Sequence, residues 1–361
     1  MNEVERFIKA QIRENGPISV EQFFLIAASG HPQSYYACRD PFGPDGDFVT
    51  APEISQVFGE CVGLWCVDTW MRMGAPSVFR LVELGPGNGT LMSDILRAAR
   101  VRPGFLSGVR VELVETSPRL REVQRERLAG LVDVAWHSSV DMLEAGLPMI
   151  IVCNEFFDAL PARQFVKLTG RWRERVVGLD AQERLVFALN EDADFSHLIP
   201  AEVSDGPDGS VHEISAACLR VAQTLGRALR ASGGALLAID YGYEGPATGD
   251  TLQALRGHAP CPVLSAPGSA DITFHVDFRL LAAAFAAEGL EVWSRRPQGE
   301  FLLELGAGER TAILSRAATP AQARALENAL VRLTSPDAMG TLFKVLCASF
   351  PSSFQPAGFR R

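Results

Sequence analysis

The stretch Leu81-Val82-Glu83-Leu84-Gly85-Pro86-Gly87-Asn88-Gly89-Thr90 constrains this chain more than any other. An apolar run, Phe79 to Leu84, ends there, and Leu91, Met92, Ile95, Leu96 and Ala99 follow at helical spacing. The glycines between them let the backbone turn tightly and approach a ligand without a Cβ clash. N–H groups at the start of the next helix can then meet a carboxylate or phosphate. A strand that turns through such a loop into a helix is a unit of an α/β fold, with a ligand at the strand's carboxyl end.

The chain repeats this alternation. Val109 to Glu115 predicts a second strand, with Ser117 as N-cap and Pro118 as first residue of the following helix. Val132 to Trp136 and Met149 to Asn154 predict the third and fourth strands, the latter without polar alternation, as a strand covered on both faces should be. Ala235 to Tyr241 is the next core strand, and the long interval before it predicts a β/α insertion, residues 164–231, between the fourth and fifth strands. The pattern is a doubly wound, Rossmann-like α/β fold. Residues 1–75 read as mainly helical and residues 76–361 as the ligand-binding domain, with Leu342 to Phe350 as its last strand. Thr319 and Gln322 predict a capping box, and a second glycine pair, Gly306 and Gly308, reads as another strand–helix turn.

Glu83 stands just before the glycines, and Glu115 ends the second strand. An acidic side chain at the latter place accepts hydrogen bonds from both ribose hydroxyls of an adenosine cofactor. The dinucleotide fingerprint needs a third glycine where this chain has Thr90. Glu-x-Gly-x-Gly-x-Gly is instead typical of enzymes that use S-adenosylmethionine (SAM), whose amino-acid end suits an acidic residue before the turn. Glu83, Gly85, Gly87, Asn88, Gly89 and Glu115 are therefore the cofactor-binding candidates. A SAM-dependent methyltransferase is the preferred reading. The alternatives are a nicotinamide-dependent oxidoreductase and a SAM-binding assembly factor without catalysis.

Composition narrows the partners. A net charge of −9 disfavours nucleic acid, whose recognition rests on concentrated Lys and Arg. The seven cysteines are scattered, form no Cys-x-x-Cys pair and do not cluster with histidines. Buried, reduced thiols are expected, with no metal site and no disulfide framework. No apolar run approaches the roughly 20 residues needed to span a bilayer, and the charged start, Met-Asn-Glu-Val-Glu-Arg, leads to the expectation of a cytoplasmic protein.

The fourth strand runs into Asn154-Glu155-Phe156-Phe157-Asp158, where doubly wound sheets face the reaction centre. Enzymes that methylate base amino groups often place Asn-Pro-Pro-Tyr there; this chain lacks both prolines, which speaks against a base as substrate. The carboxylates of Glu155 and Asp158 suit a cationic group.

These residues carry a resemblance. The chain resembles the MidA-like proteins and the mitochondrial complex I assembly-factor protein arginine methyltransferases. The shared blocks are Gly46 to Glu60, Glu83 to Gly89, Asn154 to Phe165, Ile239 to Gly242 and Asp271 to Phe278. The resemblance implies a seven-stranded SAM-methyltransferase fold with an N-terminal helical cap, and a protein substrate that is a complex I subunit in some members. It places Asp47, Thr50 and Glu53 near the cofactor's amino-acid end. Where many relatives carry an acidic residue for the adenine amino group, this chain has Trp136-His137-Ser138-Ser139, which leaves His137 and Ser138 as the adenine-side candidates. Asn154, Glu155 and Asp158 are assigned to positioning the acceptor, and His275 to accepting its proton.

Overall fold

A computed structural model describes residues 2–38, 49–351 and 355–359 of the chain, which divides into two compact units. One unit comprises residues 49–157, 221–243 and 280–361. Within it lie seven strands of a mixed sheet: β1 (Phe79–Leu84), β2 (Val109–Val114), β3 (Val134–His137), β4 (Met149–Asn154), β5 (Gly234–Tyr243), β6 (Glu291–Pro297) and β7 (Phe343–Phe350). They are ordered β6-β7-β5-β4-β1-β2-β3. Strands β5, β4, β1, β2 and β3 run parallel, and β7 pairs antiparallel with both β5 and β6.

The apolar runs explain the centre of this sheet. Every residue of β1 and β4 is buried, so each strand is covered on both faces. Four helices complete the part of the unit that matters here: α1 (Ala51–Ile54), α2 (Gln56–Arg72), α3 (Thr90–Ala98) and α4 (Pro118–Leu128). Ser117 caps α4 as its sequence predicts, its hydroxyl accepting the Leu120 N–H at 3.4 Å. Thr319 and Gln322 form the expected capping box at the start of the helix Pro320–Thr334.

One strand goes unread in the sequence, and one expectation fails. Strand β6 was not anticipated: Glu291-Val292-Trp293-Ser294-Arg295-Arg296-Pro297 is too polar to read as core, and it is an edge strand. The second glycine pair does not join a strand to a helix. Gln298–Glu304 and Ala307–Arg316 are both helices, and Gly306, at φ +89°, is the turn between them.

The other unit takes in described residues up to 38, together with 158–220 and 244–279. Helices Glu3–Asn15 and Val20–Ala28 form one apolar core with Val177, Ile272 and Phe274. An antiparallel sheet runs in the order Ile18–Ser19, Arg171–Leu179, Arg163–Leu168, Val211–Ile214, and Leu185–Asn190 pairs with its second strand. The thiols are less uniformly buried than expected: Cys61, Cys66, Cys153 and Cys347 are buried, whereas Cys218 and Cys261 are half-buried and Cys38 is exposed. No helix among the described residues is long and apolar enough to cross a membrane.

Candidate cofactor and acceptor site

Strand order reverses at β1, which has β4 on one side and β2 on the other. Ligands of doubly wound sheets bind outside the carboxyl ends of strands at such a switch point. The loops that follow β1, β2 and β4 contain the glycine motif, Glu115 and Asn154-Glu155, so the topology brings these candidates to one end of the sheet.

Gly85, Gly87 and Gly89 have φ of +60°, +53° and +76°, a region that strains any residue with a Cβ. A Cβ on Gly85 would also sit 3.1 Å from Cδ2 of Phe156, so the turn is closely packed against the loop after β4. Gly89 is the N-cap of α3 and provides no side-chain cap, and with the Met92 N–H engaged by Glu83 the Thr90 and Leu91 N–H groups are left to a ligand. Asn88 is half-buried in the same turn.

Glu83 is 3% exposed, and its Oε2 has no hydrogen-bond partner among the described residues. Burial pushes its carboxyl up to about 8, against a smaller opposing effect of the Met92 N–H. A buried carboxyl oxygen without a donor fits a ligand that brings a cation. Glu115, 8% exposed, is also raised by burial. Its Oε1 accepts the Ser117 N–H at 2.8 Å, and its Oε2 accepts Nε2 of Gln124 at 3.2 Å. The Thr116 N–H also acts on this carboxylate, which keeps acceptor capacity for a ribose hydroxyl. The orphan oxygen of Glu83, the glycine cradle and the Glu115 carboxylate together fit SAM: ammonium, main chain and ribose respectively.

Thr50 is the N-cap of α1, without a side-chain cap bond. Glu53 accepts the Thr90 hydroxyl at 2.6 Å, and Arg127 donates to that same hydroxyl at 2.6 Å, so α1 is tied to the first residue of α3. Asp47 lies outside the described residues. The two adenine-side candidates have side chains engaged within the protein. His137 has Nε2 3.1 Å from Oε2 of Glu112, although its carbonyl accepts the Glu115 N–H at 2.9 Å. Ser138 is exposed, and its hydroxyl contacts Sδ of Met142 at 3.4 Å.

The loop after β4 is strained and held. Glu155 adopts φ +47°, which costs a non-glycine residue about 1–2 kcal/mol. Its Oε1 accepts the Ala51 N–H at 3.0 Å and Nδ2 of Asn154 at 3.2 Å. Oδ1 of Asn154 is buried and unpartnered among the described residues. Sequence reasoning gave no role to Asp240, yet this residue, 1% exposed, holds the loop. Its Oδ2 accepts the N–H groups of Phe156 and Phe157 at 3.2 and 3.0 Å, and its Oδ1 accepts that of Tyr241 at 3.0 Å. Its signals were an aspartate at the end of an apolar strand and its place in the shared block Ile239 to Gly242. Thr90 and Arg127 were missed for a similar reason, as their contacts are tertiary.

Asp158 and His275 belong to the other unit. There Asp158 is buried, and its carbonyl accepts the Phe274 N–H at 3.0 Å. Tyr36 donates to Oδ1 of Asp271 at 2.7 Å, and burial, Asp271 and Asp158 all hold its hydroxyl well above the usual range. His275 is half-buried, and its N–H donates to Oγ1 of Thr251 at 2.9 Å.

Over residues 61–295 the chain matches the family described as "Putative S-adenosyl-L-methionine-dependent methyltransferase". The chain belongs to this family. It is 34% identical to the mitochondrial protein arginine methyltransferase NDUFAF7 of Danio rerio, covering 94% of this chain and 85% of that protein. The Homo sapiens protein of the same name is also 34% identical, with 94% and 81% covered. A crystal structure of a COG1565 superfamily member from Burkholderia thailandensis, bound to S-adenosyl-homocysteine, superimposes with a TM-score of 0.86 at 27% identity, covering 99% of this chain and 95% of that one.

The protein is thus a SAM-dependent methyltransferase with the α/β fold of that class, and the nicotinamide reading falls away. The expectation of a cytoplasmic location is overturned as well, because the relatives matched along nearly the whole chain are mitochondrial proteins.

Proposed function

We propose that the protein transfers the methyl group of SAM to an arginine side chain of a protein, and that the acceptor is a subunit of respiratory complex I or a similar protein. The relatives named as protein arginine methyltransferases support the acceptor class. The complex I partner rests on the family resemblance alone. The observation that carries the chemistry is the strained Glu155, whose carboxylate is fixed by the Ala51 N–H and Asn154 beside the glycine turn.

SAM, when bound, supplies an electrophilic methyl group. Glu83, the glycine turn and Glu115 would hold it, with Thr50 and Glu53 at its amino-acid end and the 137–138 backbone toward adenine. A guanidinium is a poor nucleophile because its charge is delocalised. A carboxylate held in one plane fixes the guanidinium fork and draws its positive charge away from the attacking nitrogen. Alignment of nucleophile and methyl carbon is the main contribution the protein makes to such a displacement. Glu155, with Asn154 as its orienting neighbour, has that role in this reading. Asp158 and His275 belong to the other unit, so the roles their sequence suggested stay outside this reading, and the insertion 164–231 is the candidate for recognising the protein partner.

Glu155→Gln keeps the hydrogen-bond acceptor and removes the charge. Methyl transfer should fall by about tenfold or more, while affinity for S-adenosylhomocysteine stays within about threefold. Equal loss of both would move Glu155 from the acceptor side to the cofactor side.

A further inference from the structure

Gln124 occupies the middle of α4 with no exposed surface at all. A buried amide is tolerated when its donors and acceptor are met, and the partners here form an unusual set. Nε2 donates to the carbonyl of Gly87 at 2.8 Å and to Oε2 of Glu115 at 3.2 Å. Oε1 accepts the indole N–H of Trp136 at 2.9 Å. The orientation of the amide is dictated by these partners, since an indole only donates and a carbonyl and carboxylate only accept. The helix seats closely enough for this: a Cβ added at Gly89 would lie 3.5 Å from Cγ of Gln124.

One side chain therefore joins the glycine turn, the end of β2 and β3. We propose that Gln124 is a positioning residue that fixes the Glu115 carboxylate for a ribose bearing both hydroxyls, and so sets the preference of the enzyme for an intact adenosine. The proposal rests on the reading that Glu115 receives the ribose. With Ser117 on Oε1 and Gln124 on Oε2, the carboxylate plane is held at both ends, and its remaining acceptor capacity points to a defined place. Without Gln124, Ser117 holds one oxygen only and the carboxylate swings about its terminal torsion, which is broad. Only an amide serves both sides. A glutamate in the same place has no donor for Gly87 or Glu115 while ionised, and regains one on protonation.

The test is calorimetric titration of the full chain with S-adenosylhomocysteine and its 2′-deoxy analogue, using wild type, Gln124→Leu, Gln124→Glu and Glu115→Ala. Wild type should prefer the intact ribose by about tenfold or more. Gln124→Leu should weaken S-adenosylhomocysteine by about tenfold and bring the preference to within about threefold. Gln124→Glu, with each affinity taken relative to wild type at the same pH, should be equally weak at about pH 8.5 and recover by about tenfold toward pH 6, as the shared proton of the Glu pair restores the donor. That pH profile decides the matter even where Gln124→Leu fails to fold. A Glu115→Ala protein that keeps the ribose preference would refute the ribose reading itself. A Glu115→Ala protein that loses the preference, beside Gln124 variants that retain it and a flat pH profile for Gln124→Glu, would refute the positioning role alone.

Discussion

Glu83→Gln is the perturbation whose size follows most directly from the structure. In the folded protein burial lifts the Glu83 carboxyl from 4.5 to about 8. The folded state therefore holds a proton that the unfolded chain releases above pH 4.5. An acid raised in this way contributes its stability in full below its unfolded value, and that contribution is lost as pH rises toward 8. Each unit of this window is worth about 1.4 kcal/mol, so the wild-type protein gives up about 3 kcal/mol by pH 7 and about 4 kcal/mol by pH 8. Glutamine has nearly the same shape and no charge to desolvate. The free Glu83→Gln protein should match wild type near pH 4.5 and exceed it progressively above, by a melting temperature on the order of 5 °C at pH 7. Scanning calorimetry of both proteins across this range, without cofactor, measures the difference directly. A difference that stays constant with pH would refute the buried, protonated Glu83. The same variant should bind S-adenosylhomocysteine about tenfold more weakly at pH 8, where the ammonium of the ligand and the wild-type carboxylate neutralise each other.

Two other substitutions test neighbouring parts of the site. Gly87→Val places a β-branched residue at φ +53° inside the ligand cradle; affinity for S-adenosylhomocysteine should fall on the order of a hundredfold, measured by calorimetric titration, with an unchanged circular dichroism spectrum. Asp240→Asn replaces the charged acceptor of three loop N–H groups. It should destabilise the protein by about 2 kcal/mol in urea titrations and slow methyl transfer more than it weakens cofactor binding.

Which parts of this protein were legible follows from where the information resides. The glycine turn was, because positive φ at three closely spaced positions restricts residue type locally, and so was β4, because a strand buried on both faces reads as a near-continuous apolar run. Caps at Ser117 and Thr319 are local in the same sense. Strand β6 was not, since an edge strand carries polar residues and loses its alternation. The Gly306 turn deceived because a helix end and a strand end both call for a left-handed glycine. The direction of the His137 ring, the three N–H groups gathered by Asp240 and the three partners of Gln124 depend on residues far away in sequence, and no local pattern records them. The same holds for the unit assembled from three separate stretches of chain, whose members share a core without sharing a sequence signal.

The most direct measurement is transfer of labelled methyl from SAM to mitochondrial protein extract by the full chain, followed by mass spectrometric mapping of the labelled residue. Label on an arginine of a complex I subunit, abolished by Gly87→Val and sharply reduced by Glu155→Gln, is the expected result. Label confined to other residue types or to small molecules, or no label from a protein that binds S-adenosylhomocysteine tightly, would contradict the assignment of a protein arginine methyltransferase.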